Sequence, residues 1–241
     1  MSLTLHAMIP ARYGSTRLKV KNLCLIAGEP MISYAINAAL DSKVFSSVCV
    51  NSDHAIFAEI ASRMNVEFYR RPNELGSSNT KSDEVIHDYF LSHQDADVLA
   101  WVNPISPFQT SQEVGDIVNY FLKEDLDSLI TVEEKQVHCS YRGEPVNYQM
   151  DEPFAQTQDL QPINAFVYSM MMWRRQSFLE SYKKNGHGLF CGKFGVYPVN
   201  KLTGLIIKNA TDLMMADYMM RALKDSESYE LCYDPIMNKY A

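Results

Sequence analysis

The sequence predicts a three-layer α/β fold around a mostly parallel, mixed β-sheet. Apolar runs of strand length alternate with segments of helical periodicity from residue 3 to residue 124, the rhythm of βαβ units. Three polar loops, starting at Pro10, Arg70 and Asn103, each leave the carboxyl end of a predicted strand, the edge where such sheets bind ligands. The rhythm breaks at residues 135–163, which carry turn signals and polar alternation without a helical period, and resumes with Ala165. The expected organisation is one domain over residues 1–241 with 135–163 as a β-rich excursion.

Each element has its own signal. Leu3 to Ile9 reads as a buried strand stopped by Pro10. Leu23 to Ile26 is a short extended piece before Gly28-Glu29-Pro30, where proline starts a helix through Leu40. The run Phe45 to Val50 is the next strand, and Asp53 is placed to cap a helix in which Ile56, Phe57, Ile60 and Met64 share one face. Val66 to Tyr69 leads through a polar loop into a helix carrying Val85, Ile86, Tyr89 and Phe90. Val98 to Val102 is a strand broken by Asn103-Pro104-Ile105-Ser106-Pro107. Thr110-Ser111-Gln112-Glu113 is a capping box ahead of the stripe Val114, Ile117, Val118, Phe121 and Leu122. Strands follow at Ser128 to Val132 and Ala165 to Met170, then a helix near Arg174 to Tyr182. Further strands near Phe194 to Val199 and Gly204 to Ile207 precede a final helix from Ala210 to about Leu223.

Bulk properties narrow the function. At 241 residues and 46% hydrophobic content the chain can bury a substantial core. A net charge of −7 argues against nucleic acid as partner, since that binding needs an extended basic face. No apolar run approaches membrane-spanning length and the N-terminus enters a strand without a signal region, so a cytoplasmic protein with no membrane contact is expected. Cys24, Cys49, Cys139, Cys191 and Cys232 form no C-x-x-C pair and read as reduced packing residues. No histidines fall in H-E-x-x-H and no serine in G-x-S-x-G, which sets aside those hydrolase classes.

Against the acidic background, the first loop gathers Arg12, Arg17, Lys19 and Lys21 within ten residues, beside Gly14, Ser15 and Asn22. Such a loop suits a small anion: Gly14 would let backbone N–H groups converge on it while Arg12 and Lys21 clamp it. It matches neither G-x-x-x-x-G-K-[ST] nor G-x-G-x-x-G, so it is neither a Walker loop nor a dinucleotide-binding turn.

Four stretches in collinear order resemble the CMP-sugar synthetases, the cytidylyltransferases that activate sialic acid, related nonulosonic acids and 3-deoxy-octulosonate. They are Ile9-Pro10-Ala11-Arg12-Tyr13-Gly14-Ser15 with Lys21-Asn22-Leu23, then Arg71-Pro72 with Glu74-Leu75, then Asn103-Pro104-Ile105-Ser106-Pro107-Phe108. The last is Thr157 to Pro162 followed by Asn164-Ala165-Phe166-Val167-Tyr168. The resemblance implies a Rossmann-like nucleotidyltransferase fold, CTP as nucleotide, an acidic sugar as acceptor, and a homodimer built with the excursion. By the same resemblance Arg12, Gly14, Ser15 and Lys21 meet phosphate, Asn22 lies near the ribose, and Arg71, Thr80 and Ser82 border cytosine. Arg12 and Lys21 are then the catalytic charges, and Asn103, Ser106, Gln158, Asn164 and Tyr168 the acceptor-side residues. For Thr80 and Ser82, capping the next helix is an equally good reading.

Departures from the family pattern accompany these matches. Asn103 stands where glutamine is usual and Thr157 where arginine is usual. The resemblance implies Mg²⁺ held near the C-terminal end by D-I-D-T-x-x-D, yet the aligned stretch is Ile206-Ile207-Lys208-Asn209-Ala210-Thr211-Asp212, so the usual ligand aspartates are missing. Three explanations stay open: metal on Asp53, Asp212 and phosphate; Lys208 supplying the charge; or lost catalysis. The leading expectation is a cytidylyltransferase that joins CTP to a sialic-acid-like sugar and releases pyrophosphate. The alternatives are transfer to another acceptor, or a nucleotide-binding protein with impaired catalysis.

Overall fold

A computed structural model describes residues 3–15, 18–225 and 231–236. Arg17, one of the basic residues of the first loop, lies outside the described residues. Seven strands form the central sheet in the order β11-β7-β10-β6-β1-β4-β5: β1 Leu5–Ala11, β4 Ser47–Ser52, β5 Glu67–Arg70, β6 Val98–Val102, β7 Ser128–Lys135, β10 Ile163–Arg174 and β11 Phe194–Pro198. β10 runs antiparallel to both its neighbours, whereas the other pairings are parallel. Two small two-stranded sheets complete the β-structure, β2 Leu25–Ile26 with β3 Glu29–Pro30 and β8 Ser140–Tyr141 with β9 Glu144–Pro145. Six α-helices lie among the described residues: α1 Met31–Ser42, α2 Ile56–Arg63, α3 Ser82–Ser92, α4 Ser111–Lys123, α5 Arg175–Asn185 and α6 Ala210–Asp225.

β1 shows why the sheet is covered on both faces. Leu5, Ala7, Ile9 and Ala11 point into one apolar cluster, shared with Ile32 and Ile36 of α1, Phe57 of α2 and Phe121 of α4. Met8, between them, points into the other, with Val85, Tyr89 and Phe90 of α3 and Phe178 of α5. This is the two-residue alternation of a strand with apolar contacts above and below. Pro10 does not stop β1: it pairs with Asn51 of β4 beyond the point where β6 has stopped pairing, and a missing N–H is tolerated at such a one-sided position.

Several local expectations change. Asp53 does not cap α2, which begins at Ile56 behind Ala55; the Ile56 N–H donates to His54 Nδ1 instead. Thr110 caps α4 by accepting from the Glu113 N–H, but the Glu113 carboxylate turns away from its own helix. It accepts from the Asn200 backbone and side-chain N–H groups, both at 2.8 Å, and from the Thr203 hydroxyl at 2.7 Å. That bond set folds residues 200–204 into turns, and 204–207 form no strand. Ile207 is buried in a third apolar cluster with Ile26, Met31, Phe108 and Ala216.

Residues 136–162 leave the sheet between β7 and β10. Lys135, Glu134 and Glu133 pair with Ile163, Asn164 and Ala165, beyond the pairings of either strand with its outer neighbour. Inside the excursion, β8 and β9 are joined by Arg142 and Gly143, both at positive φ, the backbone of a two-residue hairpin turn. A 3-10 turn spans Thr157–Asp159.

Candidate active site

At the carboxyl ends of β1, β5 and β6 lies a cleft of about 320 Å³. Its walls include Arg12 and Ser15 from the loop after β1, Lys21 and Asn22 from the 3-10 turn that follows, and Arg71 after β5. Thr80, Lys81 and Ser82 at the start of α3, Trp101 and Asn103 at the end of β6, and Lys208 before α6 complete the polar lining. Residues far apart in the chain thus meet where a parallel sheet places its ligands.

Hydrogen bonds hold this rim. Asp53 Oδ1 accepts from the Tyr13 N–H at 3.1 Å and from the Arg71 guanidinium at 3.4 Å, tying the first loop to the loop after β5. Gly76 permits that approach, since a Cβ there would lie 2.5 Å from Asp53 Oδ2. Arg71 is buried and also donates to Asn51 Oδ1 at 3.0 Å, while its Nε–H has no partner among the described residues. Burial pulls the Arg71 guanidinium below its ordinary pKa, and Asp53 opposes that pull. The buried indole N–H of Trp101 likewise has no partner. Arg12 donates to the Ser77 carbonyl at 2.9 Å and Lys21 to the Ile207 carbonyl at 3.0 Å.

Gly14 is outside the lining and does not use a left-handed backbone. The left-handed residue of this segment is Val20, at φ 45°, directly before the turn that places Lys21 and Asn22. A β-branched residue there is strained, and the turn it starts is what presents two polar residues to the cleft. Thr80 does not cap α3: its hydroxyl donates to the Glu74 carbonyl, and the cap N–H of Lys81 donates to Glu84.

The acceptor-side residues divide. Asn103 lines the cleft, its Oδ1 accepting from the Ile105 N–H at 3.4 Å. Ser106 is buried and donates to the Thr203 carbonyl. Gln158, in the 3-10 turn of the excursion, Asn164 at the start of β10 and Tyr168 are outside the cleft lining. Tyr168 sits at φ 56° within an irregularity of β10 between Phe166 and Met171, which turns an exposed aromatic ring outward. Lys81 and Ser77 escaped the sequence reading, although Lys81 had a usable signal as the lone cation between Arg71 and α3. Trp101 reads from the sequence as a core or pocket-wall residue with core favoured, and the structure places it in the cleft lining.

Among the described residues the cleft lining carries five side-chain cations, Arg12, Lys21, Arg71, Lys81 and Lys208, and no carboxylate. Asp53 faces Arg71 and Tyr13, as above. Asp212 accepts from the N–H groups of Lys208 at 2.7 Å and Asn209 at 3.0 Å, while Asn209 accepts from the Asp212 N–H, a reciprocal cap on α6. This donor set does not fit the carboxylate oxygens by which a protein holds Mg²⁺. Elsewhere, potential ligand atoms of Cys49, Glu67 and His93 lie within 4.8 Å of one another, and none of the three lines the cleft. No helix among the described residues is long and apolar enough to cross a membrane.

This geometry agrees with comparisons to known proteins. A solved CMP:2-keto-3-deoxy-manno-octonic acid synthetase complexed with CTP superposes with a TM-score of 0.71 at 16% identity, over 91% of this chain and 99% of the other. A 4-diphosphocytidyl-2C-methyl-D-erythritol synthase from Anaerococcus prevotii superposes at 0.66 with 12% identity over the same shares. These likenesses support the Rossmann-like α/β fold. In sequence, the chain is 23% identical to an N-acylneuraminate cytidylyltransferase of Streptococcus agalactiae serotype III over 97% of this chain and 59% of that protein. It is 28% identical to one of Escherichia coli O18:K1:H7 over 90% and 52%. The chain therefore spans between about half and three fifths of the length of these relatives. The cytidylyltransferase family profile matches residues 6–149, more than half of the chain, and the chain belongs to that cytidylyltransferase family.

Proposed function

We propose that the cleft binds CTP and transfers its cytidylyl group to an acidic, sialic-acid-like sugar. The observation that carries this reading is the meeting of Arg12, Ser15, Lys21, Asn22, Arg71, Thr80, Ser82 and Asn103 around one opening. Three separate loops supply them, each at a strand carboxyl end. In this reading Arg12, Ser15 and Lys21 take the phosphates, with Gly14 behind them as part of the loop, and Asn22 faces the ribose. Arg71, Thr80 and Ser82 meet the cytosine edge, and the unpartnered Arg71 Nε–H is a donor suited to a base acceptor. Asn103 faces the acceptor.

The acceptor hydroxyl attacks the α-phosphorus as the bond to the β-bridging oxygen breaks in line, and pyrophosphate leaves; the hydroxyl proton passes to solvent. Such a transfer asks the protein for alignment and charge stabilisation rather than a covalent nucleophile. Arg12 and Lys21 steady the negative charge that grows on the leaving pyrophosphate. A divalent ion, when bound with the nucleotide, supplies further neutralisation of the reacting phosphates.

We further read the protein as a homodimer in which the excursion at 135–163 reaches the partner copy. Gln158, Asn164 and Tyr168, outside the cleft lining of their own chain, then serve the neighbouring one, and Ser106 supports the Asn103 turn from within. The test is CTP-dependent pyrophosphate release with pooled nonulosonic acids and 3-deoxy-octulosonate, against the same pool with ATP, GTP and UTP. Release with CTP alone supports the reading. Tight CTP binding with no release across the pool and a panel of sugar phosphates and phosphonates would favour a nucleotide-binding role without transfer.

A further inference from the structure

We infer that this protein neutralises the nucleotide triphosphate with its own side-chain cations, and that Lys208 fills the place a carboxylate-held divalent ion would otherwise occupy. The inference rests on the reading of the cleft as a CTP site and deepens it. Its basis is the charge distribution: among the described residues five cations line the opening and no carboxylate does. The two aspartates nearest the question are both committed. Asp53 accepts from Tyr13 and Arg71, which binds the two nucleotide-side loops together. Asp212 accepts from the backbone N–H groups of Lys208 and Asn209, which starts α6.

The second bond set also fixes where Lys208 stands. Its backbone is held by the α6 cap, the carbonyl of the preceding Ile207 accepts from Lys21 Nζ at 3.0 Å, and the Ile207 N–H donates to the Ile105 carbonyl at 2.8 Å. The Lys208 side chain thereby joins the cleft lining beside Lys21 of the basic first loop, and it forms no ion pair among the described residues. An ammonium so placed offers a positive charge with three donors and needs no ligand set of its own. A divalent ion bound by the nucleotide in solution can still accompany it, but the chain has no need of the ion to hold the phosphates.

The test is calorimetric titration of the full chain with CTP, once with excess chelator and once with Mg²⁺, for the wild type, Lys208→Met and Lys208→Arg. The wild-type dissociation constants in the two media should agree within about threefold. In chelator Lys208→Met should bind at least about tenfold more weakly, since a charge facing phosphate is lost, and Mg²⁺ should restore part of that loss. Lys208→Arg should stay within about threefold of wild type. The α6 cap uses the Lys208 backbone, so both variants keep the fold, checked by their thermal midpoints. Wild-type binding that weakens about tenfold or more in chelator overturns the inference alone, as does Lys208→Met binding like wild type there. No CTP binding by wild type in either medium overturns the CTP reading and this inference with it.

Discussion

The Lys21 ammonium donates to the carbonyl oxygen of Ile207 across 3.0 Å, closing the first loop onto a segment 186 residues further along the chain. The bond draws Lys21 and Lys208 into one part of the cleft lining and makes its basic rim a joint product of both ends of the fold. With Lys21 in its proposed role on the leaving pyrophosphate, Lys21→Ala is expected to lower kcat by about a hundredfold or more. The Ile207 carbonyl it leaves lies beside an open cleft and can take water, so stability should fall by only about 1 kcal/mol. Near-normal turnover in a pyrophosphate-release assay would remove Lys21 from the mechanism.

Glu113 carries a structural load of a different kind. Its nearly buried carboxylate accepts from both N–H groups of Asn200 and from the Thr203 hydroxyl, which holds the turns leading to the Lys208 segment. Glu113→Ala removes the shared acceptor of three hydrogen bonds and should cost about 2–4 kcal/mol. Denaturant unfolding would read this as a lower midpoint at unchanged slope. A loss below about 0.5 kcal/mol would mean that water replaces the carboxylate.

His6 gives the fold a pH limit. Burial holds its pKa below the ordinary 6.5, with His93 acting in the same direction and Asp95 and Glu67 opposing. Its Nδ1 lies 3.3 Å from the Tyr89 hydroxyl. The native imidazole stays neutral where the unfolded chain already takes up a proton, so the unfolded state binds more protons just below pH 6.5. The stabilisation is complete above the unfolded value and is lost as pH falls through the lowered native one. The thermal midpoint should therefore drop between about pH 7 and pH 5.5, and His6→Gln should flatten that part of the profile. An unchanged profile in the variant would assign the drop to other groups.

How much of this was legible in the sequence depends on the range of the interactions involved. β1, α1 and α4 were readable because their periods are local: Ile32 and Ile36 of α1 and Ile117 and Phe121 of α4 fall at helical spacing and face the same cluster. The cleft residues were readable because three loops share one geometric fate, the carboxyl edge of a parallel sheet. What escaped was set by partners distant in sequence. The motif Thr110-x-x-Glu113 promises a closed capping box, but Asn200 and Thr203 compete for the carboxylate and win it. Gly14 invited a left-handed turn, whereas the strain sits on Val20. Gly204 to Ile207 has the composition of a strand, yet has a single strand-like bond, from Ile207 to Ile105, and no ladder to join. Lys81 reaches the cleft only because the start of α3 lies beside the end of β6.

The proposed dimer is testable on the excursion itself. Phe154 is 83% exposed although its ring stacks on His138 at 3.9 Å, and Met150 and Tyr141 stand similarly open to solvent. Large apolar side chains gathered on a projecting segment indicate a surface that another chain covers. Light scattering coupled to size exclusion should therefore give twice the mass of one chain. Met150→Glu combined with Phe154→Glu should shift the protein to single chains, since each places a charge where apolar contact is needed. CTP binding should persist in that variant, because the nucleotide-side lining comes from one chain, while acceptor-dependent turnover should fall. That combination separates a neighbour's contribution to the acceptor side from simple unfolding. A wild-type protein that elutes with the mass of one chain at assay concentration and still turns over would defeat the dimer and leave Gln158, Asn164 and Tyr168 without a role in transfer.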